Sequence, residues 1–293
     1  MASLLKSPLR TGHYGAHSIR HVLFPIDFSG RTHCTAPFVA AIAHRFYAKV
    51  TLLGVAQPLI YGNITEPSYP VMVDPETIRQ SVQARLDTAL EAELAGIDVE
   101  RVAELGDPAE TIIKFAHEHS VDMIMIPTHG HSAFRNMVLG SVTAKVLSDA
   151  HCAVWTSTHT EQAPFKEQAL TRRVLCAVDA DEKAVPLLAW AEGYAKQWGA
   201  SLKVVHATPE SSPEHEDCMH SKYVAAIEKL ATMAGADVPV LLATGIPSDV
   251  ICGEAARQNS DLIIIGRGPE GKSDRLKTNH AIIRQATCPV ISV

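Results

Sequence analysis

The segment D-M-I-M-I-P-T-H-G-H-S-A-F-R-N-M-V-L-G-S-V-T, residues 122–143, decides how the chain is read. Its apolar run Met123–Ile126 stops at Pro127. A loop follows, with Gly130 near one end and Gly140-Ser141 at the other. A helical pattern then begins with Val142, Ala144, Val146 and Leu147. Strand, glycine-flanked loop and helix start together make an anion cradle. Glycine lets the backbone approach closely, and a helix N-terminus offers N–H groups without intrahelical partners.

The strand part of this segment occurs twice, and so do its surroundings. Residues 122–126 (D-M-I-M-I) match 261–265 (D-L-I-I-I), and 21–27 (H-V-L-F-P-I-D) match 173–179 (R-V-L-C-A-V-D). Residues 48–52 match 200–204, 106–112 match 245–251, and 152–154 match 288–290. The offset falls from 152 to 139 to 136, so the first copy carries 13 extra residues after its second strand and three more in the glycine loop. A repeat this long is a duplicated domain rather than a solenoid module.

Each copy alternates near-continuous apolar runs with helical patterns, as a parallel sheet covered on both faces requires. In the first copy, strands are expected near 21–27, 50–56, 100–104, 122–127 and 152–157, and helices near 31–47, 75–94, 108–119 and 140–150. Ile78, Val82, Leu86, Leu90 and Leu94 form a four-residue stripe along the second helix. Asp107, Pro108 and Glu110 open the third as a capping box with its proline. Pro37 should delay or kink the first helix. The fold class is therefore α/β: two tandem Rossmann-like, doubly wound domains, each with a five-stranded, mainly parallel sheet. The boundaries are a flexible arm over 1–19, domains over 20–157 and 171–293, and a linker over 158–170. Residues 56–75, rich in proline and tyrosine, read as a long loop over the strand ends, either a lid or a packing or partner contact.

Composition narrows the function. The chain has 46% hydrophobic but only 5% aromatic residues, so its cores are aliphatic. A net charge of -6 argues against a nucleic-acid or anionic-membrane binder. No apolar run approaches the ~18 residues of a membrane span, and the first twenty residues lack the apolar core of a secretory signal. Six dispersed cysteines without a CxxC spacing fit free thiols in the cytoplasm. The run 215–220 (H-E-D-C-M-H) matches no standard zinc spacing and is placed in a polar connecting segment.

In a doubly wound sheet the ligand crevice opens beyond the strand C-termini, where strand order reverses. Pro25, Ile26 and Asp27, then Val55, then the glycine loop should converge there. Asp27 suits a hydrogen bond to a ribose or adenine, or a metal ion beside phosphates; it equally suits an acid at a helix N-terminus.

At this point the chain resembles the universal stress protein family in its tandem form, from about residue 20 to the end. The family pattern G-x-x-G, nine residues, G-[S/T] is matched by Pro127-x-x-Gly130, the nine residues His131 to Leu139, and Gly140-Ser141. One departure is Pro127, which stands where the family has its first glycine and lacks a backbone donor. The resemblance implies bound ATP, with or without magnesium, and domains paired through their last strands. It places Asp27 and Val55 against the adenosine, and Gly130, Gly140, Ser141, Val142 and Thr143 on the phosphates. Arg135 adds a charge-assisted contact. It further implies a stress-response or signalling protein with unidentified protein partners, paired within the chain or as a homodimer. Any ATP hydrolysis is expected to be slow; His129 and His131 are candidate proton carriers, though histidines in a polar loop are more often solvated or structural, and no catalytic residue is assigned.

The second copy departs further. Leu276-Lys277 replaces Gly140-Ser141, and residues 266–273 (G-R-G-P-E-G-K-S) spell a P-loop pattern. That motif normally follows a first strand; here it follows a fourth, and it reads as a chance match in a degenerate copy. Two alternatives remain: a pure interaction module without nucleotide, and an ATP pyrophosphatase, of whose Ser-Gly-Gly signature only Ser29-Gly30 is present.

Overall fold

The structure, a computed structural model, describes residues 19–57, 60–61, 71–72, 74–128, 139–157, 169–209, 213–267 and 273–293. The first half runs β1 (His21–Pro25), α1 (Gly30–Phe46), β2 (Lys49–Ala56), β3 (Ile60–Tyr61), β4 (Val71–Met72), α2 (Pro75–Asp87), β5 (Val99–Leu105), α3 (Pro108–Glu118), β6 (Met123–Ile126), α4 (Ser141–Asp149) and β7 (Ala153–Thr156). The second runs β8 (Arg173–Ala177), α5 (Ala184–Trp198), β9 (Ser201–Thr208), α6 (Pro213–Met233), β10 (Val240–Thr244), α7 (Pro247–Arg257), β11 (Leu262–Ile265), α8 (Ser273–Gln285) and β12 (Val290–Ser292).

The main sheet has ten strands in the order β10-β9-β8-β11-β12-β7-β6-β1-β2-β5. Each half thus contributes five strands in the same relative order, parallel throughout. The apolar runs explain why both faces are covered. Successive residues of one strand enter opposite cores: Phe24, Leu52 and Met125 on one face, Leu23, Leu53 and Ile124 on the other. Helices α1, α2, α5 and α6 cover the first face, and α3, α4, α7 and α8 the second.

The repeat reappears in the hydrogen bonds. Asp122 Oδ2 accepts from the Arg20 and His21 N–H groups, and Asp261 Oδ2 accepts from those of Arg172 and Arg173. Gly106 and Gly245 take φ of +148° and +142° at the same point of each half, a conformation that side chains resist. Gly54 lets α2 lie close on β2; a Cβ there would come within 2.7 Å of Val82 Cγ1.

The halves meet within the chain. β7 and β12 pair antiparallel, with Trp155 opposite Ile291, and the Thr156 hydroxyl donates to the Val290 carbonyl at 3.2 Å. Above this seam α1 packs on α5. Arg45 Nε donates to the Gln197 carbonyl, and Gln197 Nε2 donates to the Arg45 carbonyl at 3.1 Å. These two residues are 152 apart, the same position in the two copies. Phe38 contacts Trp155 with ring centres 5.0 Å apart, and Phe46 contacts Tyr194 at 5.6 Å.

Three local expectations need correction. The helix expected to reach residue 94 ends at Asp87. Leu90 then takes a positive φ of 56°, yet Leu90 and Leu94 stay buried, so turns carry on the apolar stripe. Of the two effects expected of Pro37, the late start does not occur: α1 starts at Gly30 and contains the proline. The 215–220 run lies in the first turns of α6 rather than in a connecting segment. Between residues 56 and 75 the described residues form a two-stranded antiparallel pair, β3 with β4. Ile19, assigned to the arm, is buried at 3% exposure.

A buried histidine makes stability pH-dependent. His21 Nδ1 lies 3.2 Å from the His119 carbonyl and Nε2 lies 2.8 Å from the Thr51 hydroxyl. Burial, with help from Lys49, lowers its pKa below the usual 6.5, although the His119 carbonyl, Asp122 and Glu100 oppose this. Burial likewise lowers that of His280. The unfolded chain therefore takes up these protons first. Stability is complete above the unfolded pKa and declines as pH falls from there toward the folded pKa values. The urea midpoint is expected to drop between about pH 7.5 and pH 5.5, with a shallower drop in His21→Gln. An identical slope in that variant would remove His21 from the account.

Candidate functional site

The crevice of the first half opens at the C-terminal ends of β1 and β6, the strands at which the order reverses. Pro25 ends β1 level with Leu53, and the Ile26 N–H continues to the Leu53 carbonyl at 2.9 Å. This register brings Asp27 and Val55 to the same edge as Pro127, just past β6.

Two bonds place α4 against this edge. The Gly140 N–H donates to the Thr128 carbonyl at 2.9 Å, and the Thr143 hydroxyl donates to the Pro127 carbonyl at 2.9 Å. Gly140 is the N-cap and brings no capping side chain, so the N–H groups of Ser141, Val142 and Thr143 lack intrahelical acceptors. No acidic residue occupies this first turn. What reaches the crevice is thus a helix N-terminus whose own sequence does not neutralise it.

The geometry bears on the roles expected of these residues. Position 127 offers its carbonyl, which proline keeps, and the ring is buried. The Thr143 side chain is occupied by that bond and 3% exposed, so toward a ligand it can present its backbone N–H. Asp27 Oδ1 accepts from the Ser29 N–H at 2.9 Å and from the Thr32 hydroxyl at 3.3 Å. It therefore organises the N-terminus of α1 as well as facing the edge. Gly130, Arg135, His129 and His131 lie outside the described residues.

Two residues that the sequence did not single out meet just past Asp27. Phe28 takes a φ of +60°, unusual for a bulky side chain, and the Arg85 guanidinium of α2 stacks 3.9 Å from its ring centre. Nothing in the local sequence marks either contact, because α2 is distant in the chain.

The second half gives the contrast. Its crevice of about 320 Å³ is lined by Val178, Asp179, Ala207, Gly266, Arg275 and Asn279 among others. Asn279 Nδ2 donates to the Gly266 carbonyl at 3.1 Å, the counterpart of the Thr143–Pro127 bond. Arg275, however, reaches Asp179 at 2.5 Å and so spans the crevice from α8 to the loop after β8. At the positions matching Arg275 and Asp179 the first half has Leu139 and Asp27, which cannot form that ion pair. The core of the P-loop-like segment, residues 268–272, lies outside the described residues. Among the described residues no cluster of histidine, cysteine and acidic side chains is arranged to hold a metal ion, and no helix is long and apolar enough to cross a membrane.

Comparison with known proteins agrees with this architecture. The model of the universal stress protein family matches residues 18–157 and again residues 171–293. This chain belongs to the universal stress protein family. It is 28% identical over 154 residues to a universal stress protein of Methanocaldococcus jannaschii, a match covering 52% of this chain and 87% of that one. It is 34% identical over 84 residues to one from Synechocystis, a match spanning only 28% of each chain. The crystal structure of a universal stress protein from Archaeoglobus fulgidus shares the fold, with a TM-score of 0.69 at 22% identity, covering 96% of this chain and 97% of that one. Among universal stress proteins this chain is of the tandem kind, with both copies in a single sheet.

Proposed function

We propose that this chain binds an adenine nucleotide, ATP with or without magnesium, in the first-half crevice alone. It would use that nucleotide as a stress-response signal rather than as a rapidly hydrolysed substrate. The observation that carries the reading is the contrast between the two crevices. In the first, an uncapped N-terminus of α4 faces the strand edge beside Asp27 and Val55. In the second, Arg275 and Asp179 already satisfy each other where a ligand would sit. The phosphates would rest on the Gly140, Ser141, Val142 and Thr143 N–H groups, with the nucleoside along Pro25, Ile26, Asp27 and Val55. Gly130 and Arg135 join the phosphate set by their place in the family pattern.

Titration calorimetry on the full chain tests this. The expected result is one ATP bound per chain. A correctly folded protein that takes up no ATP would reject the reading and favour an interaction module without nucleotide. Two ATP per chain would show that the second crevice is open after all.

A further inference from the structure

Helix α4 presents the proposed phosphate site at its N-terminus, yet its last turn contains no basic residue to balance the negative C-terminal end. The corresponding helix α8 has Arg284 in its last turn, with Nε 3.3 Å from the His280 carbonyl. For α4 the charge comes from the other half of the molecule. Arg267, just past β11, reaches across the seam. Its Nη1 donates to the Ala150 carbonyl at 2.6 Å and its Nη2 donates to the Cys152 carbonyl. Ala150 is the C-cap residue of α4, and Cys152 leads into β7. Arg267 is itself fixed, because its backbone N–H donates to the Val293 carbonyl at 2.8 Å. The position that matches Arg267 in the first half is Thr128, which has no charge to return. The charged grip on the seam therefore has no charged counterpart at the matching position of the first half.

We infer that Arg267 is a positioning residue for the nucleotide site of the first half: by gripping the Ala150 and Cys152 carbonyls it holds α4 so that the N–H groups of Ser141, Val142 and Thr143 stay aimed at the crevice. The inference rests on the function proposed above. The nine residues of α4 separate the two ends by ~14 Å, so guanidinium and phosphate are not in contact. The effect is transmitted through the placement of α4. It should therefore act on the phosphate part of a ligand and spare the nucleoside part, which sits on β1 and β2.

The test compares ATP with adenosine by calorimetry on the full-length chain and its Arg267→Met and Arg267→Lys variants. In Arg267→Met, ATP affinity is expected to fall about tenfold while adenosine affinity stays within about twofold. Arg267→Lys keeps the charge but not the two-pronged grip, and its ATP-to-adenosine ratio should lie between the other two. If both ligands weaken together, or neither does, Arg267 has no positioning role and the inference fails. Should Arg267→Met not fold, the lysine variant decides, because an unchanged ratio in it also overturns the inference. A wild-type chain that binds no ATP rejects the underlying nucleotide reading itself, an outcome distinct from an Arg267 effect that is absent in a chain that binds.

Discussion

Ser141→Glu is expected to abolish ATP binding while leaving the urea midpoint unchanged or slightly raised. Two effects of opposite sign act at this residue. Ser141 is exposed at the first position of α4, and that first turn holds no acidic residue. A carboxylate there complements the helix dipole, worth about 0.3–1 kcal/mol in favour of folding. The same carboxylate would occupy the N–H groups proposed to hold phosphate and repel it. At ~5 Å and an effective dielectric of ~20 the repulsion is about 3 kcal/mol per unit charge, more than a hundredfold in affinity. Ser141→Ala removes only a hydroxyl and should cost less than about tenfold. Calorimetry paired with urea unfolding reads both signs at once. If Ser141→Glu binds ATP as tightly as the wild type, the phosphates do not rest on α4.

The second large effect concerns the seam. Trp155→Ala should destabilise the protein by about 3–5 kcal/mol, a cost typical of emptying a buried tryptophan site. Trp155 is 2% exposed, is paired across the seam with Ile291, and packs against Phe38 of α1. Its side chain thus fills the space where sheet, helix and second half meet, and neighbouring elements fixed by hydrogen bonds cannot easily collapse into the gap. Urea unfolding followed by circular dichroism measures the loss. A cost below ~1 kcal/mol would mean that the space is not packed as described.

Much of the fold was legible because strand burial leaves a local record. Runs such as Met123–Ile126 and Leu262–Ile265 are apolar at every position, as a strand in a sheet covered on both faces requires. Asp107 also behaved as its spacing implied, accepting from the Glu110 N–H at 3.0 Å. What failed was local pattern that tertiary packing reused. The leucine stripe overran α2, because Leu90 and Leu94 bury their side chains equally well from turns. The start of α6 was hidden by its polar residues, although a proline followed by acids is a helix opening.

The candidate site was legible in outline for a different reason. The two copies differ most at the crevice, so comparing the chain with itself marked the Gly140-Ser141 turn. The partners of that turn were not legible. That Thr143 closes on Pro127, that Arg275 crosses to Asp179 and that Arg267 grips α4 all depend on which elements the sheet sets side by side. A sequence records such contacts only as isolated polar residues.

The antiparallel junction of β7 with β12 has a consequence in mass action. When two separate subunits pair this way, dilution separates them, and whatever one supplies to the other goes with it. Here both strands belong to one polypeptide, so pairing is a unimolecular step whose equilibrium does not depend on how much protein is present. The two halves should therefore remain joined at the lowest abundance, and the first-half crevice should perform alike whether the protein is scarce or plentiful.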